Sequence, residues 1–142
     1  MNQGAPGQPE EETIFSDLWR AKREILDSYM HATKTLAKIQ RYASMGMTSE
    51  VDKADLRMYV ISLYLKIRPL LGNQKLKRSK HKKLLQDMQI RIDDVIMNDL
   101  IVELKEIKEW YLNLAMCCKI LNIYGVGWTK TDPNLAWKEG LE

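Results

Sequence analysis

An apolar stripe that runs almost unbroken from Leu85 to Leu121 constrains this chain more than any other feature. Its members are Leu85, Met88, Ile92, Val95, Ile96, Leu100, Leu104, Ile107, Tyr111, Leu114, Cys118 and Leu121. Steps of three and four residues mark one face of an α-helix. Taken as a single helix over about residues 79–124, the stripe is ~65–70 Å long at 1.5 Å per residue, which is unusual for a small domain. Asn98-Asp99 offers a break, with Asp99 as a cap and Glu103 in the turn that follows. No Gly or Pro accompanies it, and that favours a continuous or kinked helix.

Two further helices precede this one. Leu18, Ile25, Tyr29, Ala32, Leu36, Ile39 and Ala43 recur at helical spacing. They predict a helix that starts between residues 9 and 17. Pro9 and the acids Glu10, Glu11 and Glu12 suit its first turn, where proline fits and negative charge meets the positive end of the dipole. Gly46 can close it in the left-handed conformation. Ser49, with Asp52 three residues on, is a capping-box-like start for the second helix. That helix carries two stripes: Val51, Ala54, Met58, Ile61, Leu65, and Leu56, Val60, Leu63, Ile67, Leu70. A helix apolar on two faces is expected to be central and covered on several sides. Pro69 and then Gly72-Asn73 stop it.

The expected fold is therefore all-α: three long antiparallel helices, or a four-helix bundle if the third helix breaks near Asn98, plus a short C-terminal helix. Asp132-Pro133 would open that last helix and Gly140 stop it. One helical domain over residues 13–124 is expected, after a flexible leader over 1–12 and before a tail over 125–142. At 142 residues, 45% apolar and 29% charged, the chain suits one globular domain. The second helix has about 20 residues and the third about 45, so half of the third lacks a partner within one chain. An uncovered stripe predicts a homo-oligomer, most simply a dimer.

No apolar run reaches the length of a membrane span. The N-terminus has no cationic region followed by an apolar stretch, so no secretory signal is expected. Cys117 and Cys118 are the only cysteines. As helix neighbours they point about 100° apart and cannot easily bridge, so they are read as reduced thiols. The expected compartment is the cytoplasm of a cell or of a virus-infected host.

Charge is segregated. The net charge is +3, yet residues 56–86 hold nine Lys or Arg and no acid, and residues 28–49 add Lys34, Lys38 and Arg41, again without an acid. The densest part is Lys75, Lys77, Arg78, Lys80, Lys82 and Lys83, with His81 among them. If the third helix begins near Ser79, three of these lysines lie in its first turn. Each such placement at the positive dipole end costs about 0.3–1 kcal/mol at low salt. Phosphates would offset the repulsion, helped by the exposed amides of a helix start. No aromatic residue interrupts the run, so it suits the backbone of a duplex rather than stacked single strands.

Signals for chemistry are weak. Glu103, Glu106 and Glu109 form a polar helix face with Lys105 and Lys108. His31 stands four residues after Asp27, but the chain contains no Glu-x-x-His, no phosphate-cradling glycine loop and no Cys-x-x-Cys. No enzymatic role, metal, cofactor or small-molecule substrate is expected. Trp110 and Tyr111 are assigned to the core. Trp128, Leu135 and Trp137 in the tail either fold back on the bundle or anchor a partner, a role for which Trp is favoured. The expected function is that of a non-enzymatic nucleic-acid-associated or assembly protein that contacts phosphate through the basic elbow. The competing expectation is a helical interaction or oligomerisation module, or a virion or scaffold subunit, with no nucleic-acid role.

Overall fold

The computed structural model of the protein describes the backbone of residues 10–123 and the side chains of residues 20–123. Over that range the chain is all-helical: α1 (Glu10–Ser44), α2 (Glu50–Ile67), a 3-10 turn (Arg68–Leu70), α3 (Gln74–Lys77), α4 (Lys82–Asn98) and α5 (Leu104–Ile120). The short C-terminal helix and the tail over 125–142 lie outside the described residues, as do the first nine residues of the leader.

α1 starts within its acidic triplet and runs for 35 residues. Ile25, Tyr29, Ala32 and Ile39 of its stripe are buried. Gly46 ends it at φ +72°, where a Cβ would be strained. The Met47 N–H then turns back to the Tyr42 carbonyl at 2.9 Å. Ser49 caps α2, its Oγ accepting from the Asp52 N–H at 3.2 Å. Asp52 itself is buried and pairs with Lys38 of α1 at 3.4 Å, so the residue beside the cap also ties two helices together.

α2 packs against both α1 and α5. Its inner stripe of Leu56, Val60, Leu63 and Ile67 is completely buried. Its other stripe, apart from the half-buried Ile61, is left open by the described residues. Val51, Met58 and Leu65 are 70%, 55% and 51% exposed, and Ala54 is exposed beside them. The helix is central with respect to its inner face only.

The long third helix does not form as one rod. α4 stops at Asn98, and Asp99 adopts the left-handed conformation at φ 47°, ψ 51°. The Leu100 N–H donates five residues back to the Val95 carbonyl at 3.1 Å. Asp99 therefore closes α4, whereas Glu103 is the N-cap of α5 and makes no side-chain cap bond. This is the four-helix arrangement. After the reversal Arg91 of α4 grips Glu106 of α5 with bonds of 2.9 and 3.1 Å. Ile107, Trp110, Tyr111, Leu114, Cys117 and Cys118 are all buried within the chain. The half-uncovered helix from which a homo-oligomer was inferred is thus absent. α5 also ends earlier than its stripe suggests, with Asn122 at φ 57° and the Ile123 N–H returning to Cys118 at 3.0 Å.

Polar clasps join the helices around the core. The Thr33 Oγ1 donates to the Tyr29 carbonyl at 2.8 Å, which leaves the Tyr111 hydroxyl as donor in its 2.7 Å bond to Thr33. Burial pushes the Cys117 thiol up to about 12 and raises that of Cys118 as well. Neither is a thiolate at neutral pH, so both act as small apolar residues. Among the described residues no helix is long and apolar enough to cross a membrane.

The left-handed residue at the α4–α5 reversal generates a prediction. Asp tolerates this conformation better than most residues, but Gly adopts it without a Cβ penalty. The Arg57–Asp99 contact is long, at 3.9 Å, and Asp99 is fully exposed, so its loss matters little. Asp99→Gly is expected to raise the unfolding free energy by about 0.5 kcal/mol, and Asp99→Val to lower it by about 1 kcal/mol or more. Urea denaturation measures both.

Candidate nucleic-acid interface

The basic elbow occupies the connection between α2 and α4, and its local structure follows from a few residues. Pro69 lacks an N–H, so α2 gives way to the 3-10 turn. The Leu71 N–H bonds to Arg68 and the Asn73 N–H to Leu70, at 3.1 and 2.9 Å. The Asn73 Oδ1 then accepts from the Lys75 N–H at 2.9 Å and opens α3. Leu76 is only 1% exposed and holds α3 against α5. Lys75 and Lys77 flank this anchor and are both exposed. Ser79 organises the next turn: its Oγ donates to the Leu76 carbonyl at 2.8 Å and accepts from the His81 N–H at 3.2 Å.

α4 starts at Lys82, slightly later than its sequence suggests, so Lys82 and Lys83 occupy its first turn. No acid accompanies them, and His81 at the cap makes no side-chain cap bond. All six cations of the run, Lys75, Lys77, Arg78, Lys80, Lys82 and Lys83, are exposed. Lys83 pairs with Asp87 one turn on, at 3.1 Å. Both side chains are well exposed, so that pair contributes little. Among the described residues no carboxylate lies within ion-pair distance of the other five.

The elbow also encloses an open cleft of about 430 Å³. Arg68, Lys77 and Lys82 line it together with the amides of Gln86 and Gln89, and Leu76 and Leu85 supply apolar wall. No carboxylate is among its lining residues. Arg68, which belongs to the basic run but not to its densest part, and the uncharged Gln86 and Gln89 are not among the expected site residues, since that expectation follows the density of charge along the chain. Helical spacing carried the signal for two of them. Gln86 and Gln89 stand four and seven residues after Lys82 and so share its face.

Arg68 is held in place from behind. Its Nε and Nη2 donate to the two Asp93 oxygens at 3.3 and 3.2 Å, and the Tyr64 hydroxyl donates to Asp93 at 2.6 Å. Burial opposes ionisation of Asp93, but the hydrogen bonds from Tyr64 and Arg68 and the guanidinium charge outweigh it. The carboxyl is left below its usual range. Burial, reinforced by the Asp93 carboxylate, pushes the Tyr64 hydroxyl well above its ordinary value. This clasp fastens the end of α2 to the middle of α4 and so fixes the mouth of the elbow.

The remaining candidates stand apart from the elbow. His31 stacks on Tyr59 with ring centres 5.2 Å apart. Glu106 is taken up by Arg91, while Glu103 and Glu109 are exposed. Trp110 and Tyr111 are in the core. Trp128, Leu135 and Trp137 lie outside the described residues. Comparison with known protein families, with curated proteins and with solved structures finds no match to this chain.

The Asp93 clasp makes stability depend on pH in one direction. A carboxyl whose folded value is depressed contributes stability that is fully present above its unfolded value, about 4 for Asp. That contribution is lost as pH falls through the folded value. Asp93→Asn should therefore be less stable than the wild type at pH 7, with the gap narrowing steadily from pH 4 downward. Urea midpoints at pH 7, 5 and 3 test this, and a gap that widens on acidification would contradict it.

Proposed function

We propose that this protein is a non-enzymatic nucleic-acid-associated protein that contacts the phosphate backbone of a duplex through the α2–α4 elbow. One observation supports this reading above the others. Lys75, Lys77, Arg78, Lys80 and Lys82 are exposed on a segment anchored by Leu76, and no carboxylate among the described residues pairs with them. Like charges held together without counter-charges raise the energy of the folded chain, and more so beside the positive end of α4. An anion lowers it. Arg68 adds a guanidinium whose plane is set by Asp93, and the neighbouring amides can donate to phosphate oxygens. Nothing in the elbow offers aromatic stacking, so contact is expected to be with the backbone and weakly selective for sequence.

A second reading, a helical interaction or assembly module such as a virion or scaffold subunit, draws support from the open apolar stripe on α2. In that case the elbow is a solvated surface. The two readings are compatible in one molecule, but they predict different behaviour towards salt.

Duplex binding is the discriminating measurement. If the elbow neutralises about four phosphates, log K falls with log salt at a slope near −3.6. Affinity is then micromolar at 50 mM salt and about a hundredfold weaker at 200 mM. Changing Lys77, Lys80 and Lys82 together to Gln should flatten the slope by up to about 2.7. Changing Lys105, Lys108 and Lys119 to Gln removes the same charge from α5 and should leave the slope within about one unit of the wild type. Absence of binding at 50 mM salt would overturn the proposal.

A further inference from the structure

We propose that the outer face of α2 is the seam of an antiparallel homodimer, in which α2 of one protomer packs along α2 of its partner. The inference rests on α2 alone and stands independently of the phosphate-binding reading.

Spacing is the first argument. Met47, Val51, Ala54, Met58, Ile61 and Leu65 follow steps of four, three, four, three and four, the repeat of a two-helix seam. At 100° per residue the five helical members fall within a strip about 80° wide, on the opposite side of α2 from Leu56, Val60, Leu63 and Ile67. The strip is not the edge of the core. Val51, Met58 and Leu65 are each more than half exposed. Single exposed apolar residues are ordinary on protein surfaces, but a periodic row of them is not scatter. α4 also exposes Ile90 and Met97, but Asp94 stands between them at the same helical spacing, so that face is interrupted.

Charge identifies the occupant. One flank of the strip carries Glu50 at its start and Arg57 and Arg68 later. The other carries Asp55 early and Lys66 late. Two copies related by a two-fold axis at Met58 bring Val51 beside the partner subunit's Leu65. They set Asp55 within reach of the partner subunit's Lys66 and keep Glu50 well away from the partner subunit's Glu50 and from the partner subunit's Asp55. A parallel pair would instead set Glu50 across the seam from the partner subunit's Asp55, two acids. Antiparallel packing also opposes the two helix dipoles. A lipid surface is a poorer match, because the flanks mix both signs rather than forming a basic rim. α2 is 18 residues, about 27 Å of helix, so the interface falls at the lower end of the usual size range and micromolar association is expected.

Sedimentation of the full chain at about 100 μM should give about 33 kDa, twice the 16.6 kDa of one chain. Met58→Glu places two like charges at the axis and should return the mass to that of one chain while helix content stays unchanged, since Met58 is largely exposed. Orientation is read by disulfide formation. Val51→Cys mixed with Leu65→Cys should cross-link at least tenfold faster than either variant alone, and the buried Cys117 and Cys118 do not compete. A wild-type monomer at this concentration overturns the proposal, including the case where Met58→Glu destabilises that monomer because another part of the chain covers the strip. A dimer unaffected by Met58→Glu, or Val51→Cys cross-linking to itself as fast as in the mixture, overturns it too. Duplex binding retained by monomeric Met58→Glu would separate this result from the fate of the elbow proposal.

Discussion

The architecture depends on the reversal at Asp99. One residue in the left-handed conformation, with the Leu100 N–H returned to Val95, converts an apolar stripe too long for its neighbours into two helices of 17 residues each. The reversal is held from both sides. The Arg57 Nη1 donates to the Leu100 carbonyl at 2.9 Å from α2, and Arg91 and Glu106 bridge the hairpin beyond it. Only because the chain turns there can Trp110, Leu114 and Cys117 reach the core. A straight helix of the same sequence would leave that half of the stripe in water, and at about 25 cal/mol per Å² of apolar surface the difference amounts to many kcal/mol. The strain of one left-handed Asp is small beside it.

Folding also sorts the cations. Along the chain, residues 28–49 and 56–86 contain bases without acids, and this suggests a large positive surface. In three dimensions acids and hydroxyls from elsewhere meet many of those bases. Lys38 pairs with Asp52, Arg68 with Asp93 and Lys83 with Asp87. Lys66 donates to the Ser28 Oγ at 2.6 Å. Arg57 is spent on the Leu100 carbonyl. After this sorting Lys34, Arg41 and the elbow cations Lys75, Lys77, Arg78, Lys80 and Lys82 are left without an acid among the described residues, and only the last five lie together. The elbow is therefore more sharply bounded than the sequence run implies, and Arg68 enters it as a fixed guanidinium rather than a loose one.

Several parts of this arrangement were legible before the structure, for local reasons. Ser49 as a cap, Gly46 as a stop and Pro69 as a terminator act through backbone groups within a few residues, so short motifs reveal them. The buried set of α1 and the inner stripe of α2 follow from periodicity. What escaped was decided by non-local competition. Asn98-Asp99 has no Gly or Pro, and the break there is stabilised by burial of α5 against α1 and α2, which no window of sequence displays. The two apolar faces of α2 look equivalent along the chain. Only packing separates a face that meets α1 and α5 from one that meets nothing within the described residues. The elbow was legible as charge density, whereas its cleft draws on Gln86 and Gln89, which carry no charge to attract notice.

The open strip and the unpaired elbow share a helix, and that sharing has geometric consequences. α2 runs directly into the 3-10 turn that begins the elbow, so whatever orients α2 also orients the cations. If two copies pair about Met58, the chains leave the pair at opposite ends. From Met58 to Leu70 is about 18 Å of helical rise, so the two elbows start roughly 36 Å apart along the seam, near the 34–36 Å repeat of a duplex. A single elbow that made about four phosphate contacts would bind weakly at physiological salt. Two elbows on one rigid seam raise the effective concentration of the second contact without any new side chain, provided both can reach the same duplex. In an isolated chain the apolar face leaves burial energy unused and the basic segment opposes the positive end of α4. A dimer on a polyanion would cover the first and neutralise the second.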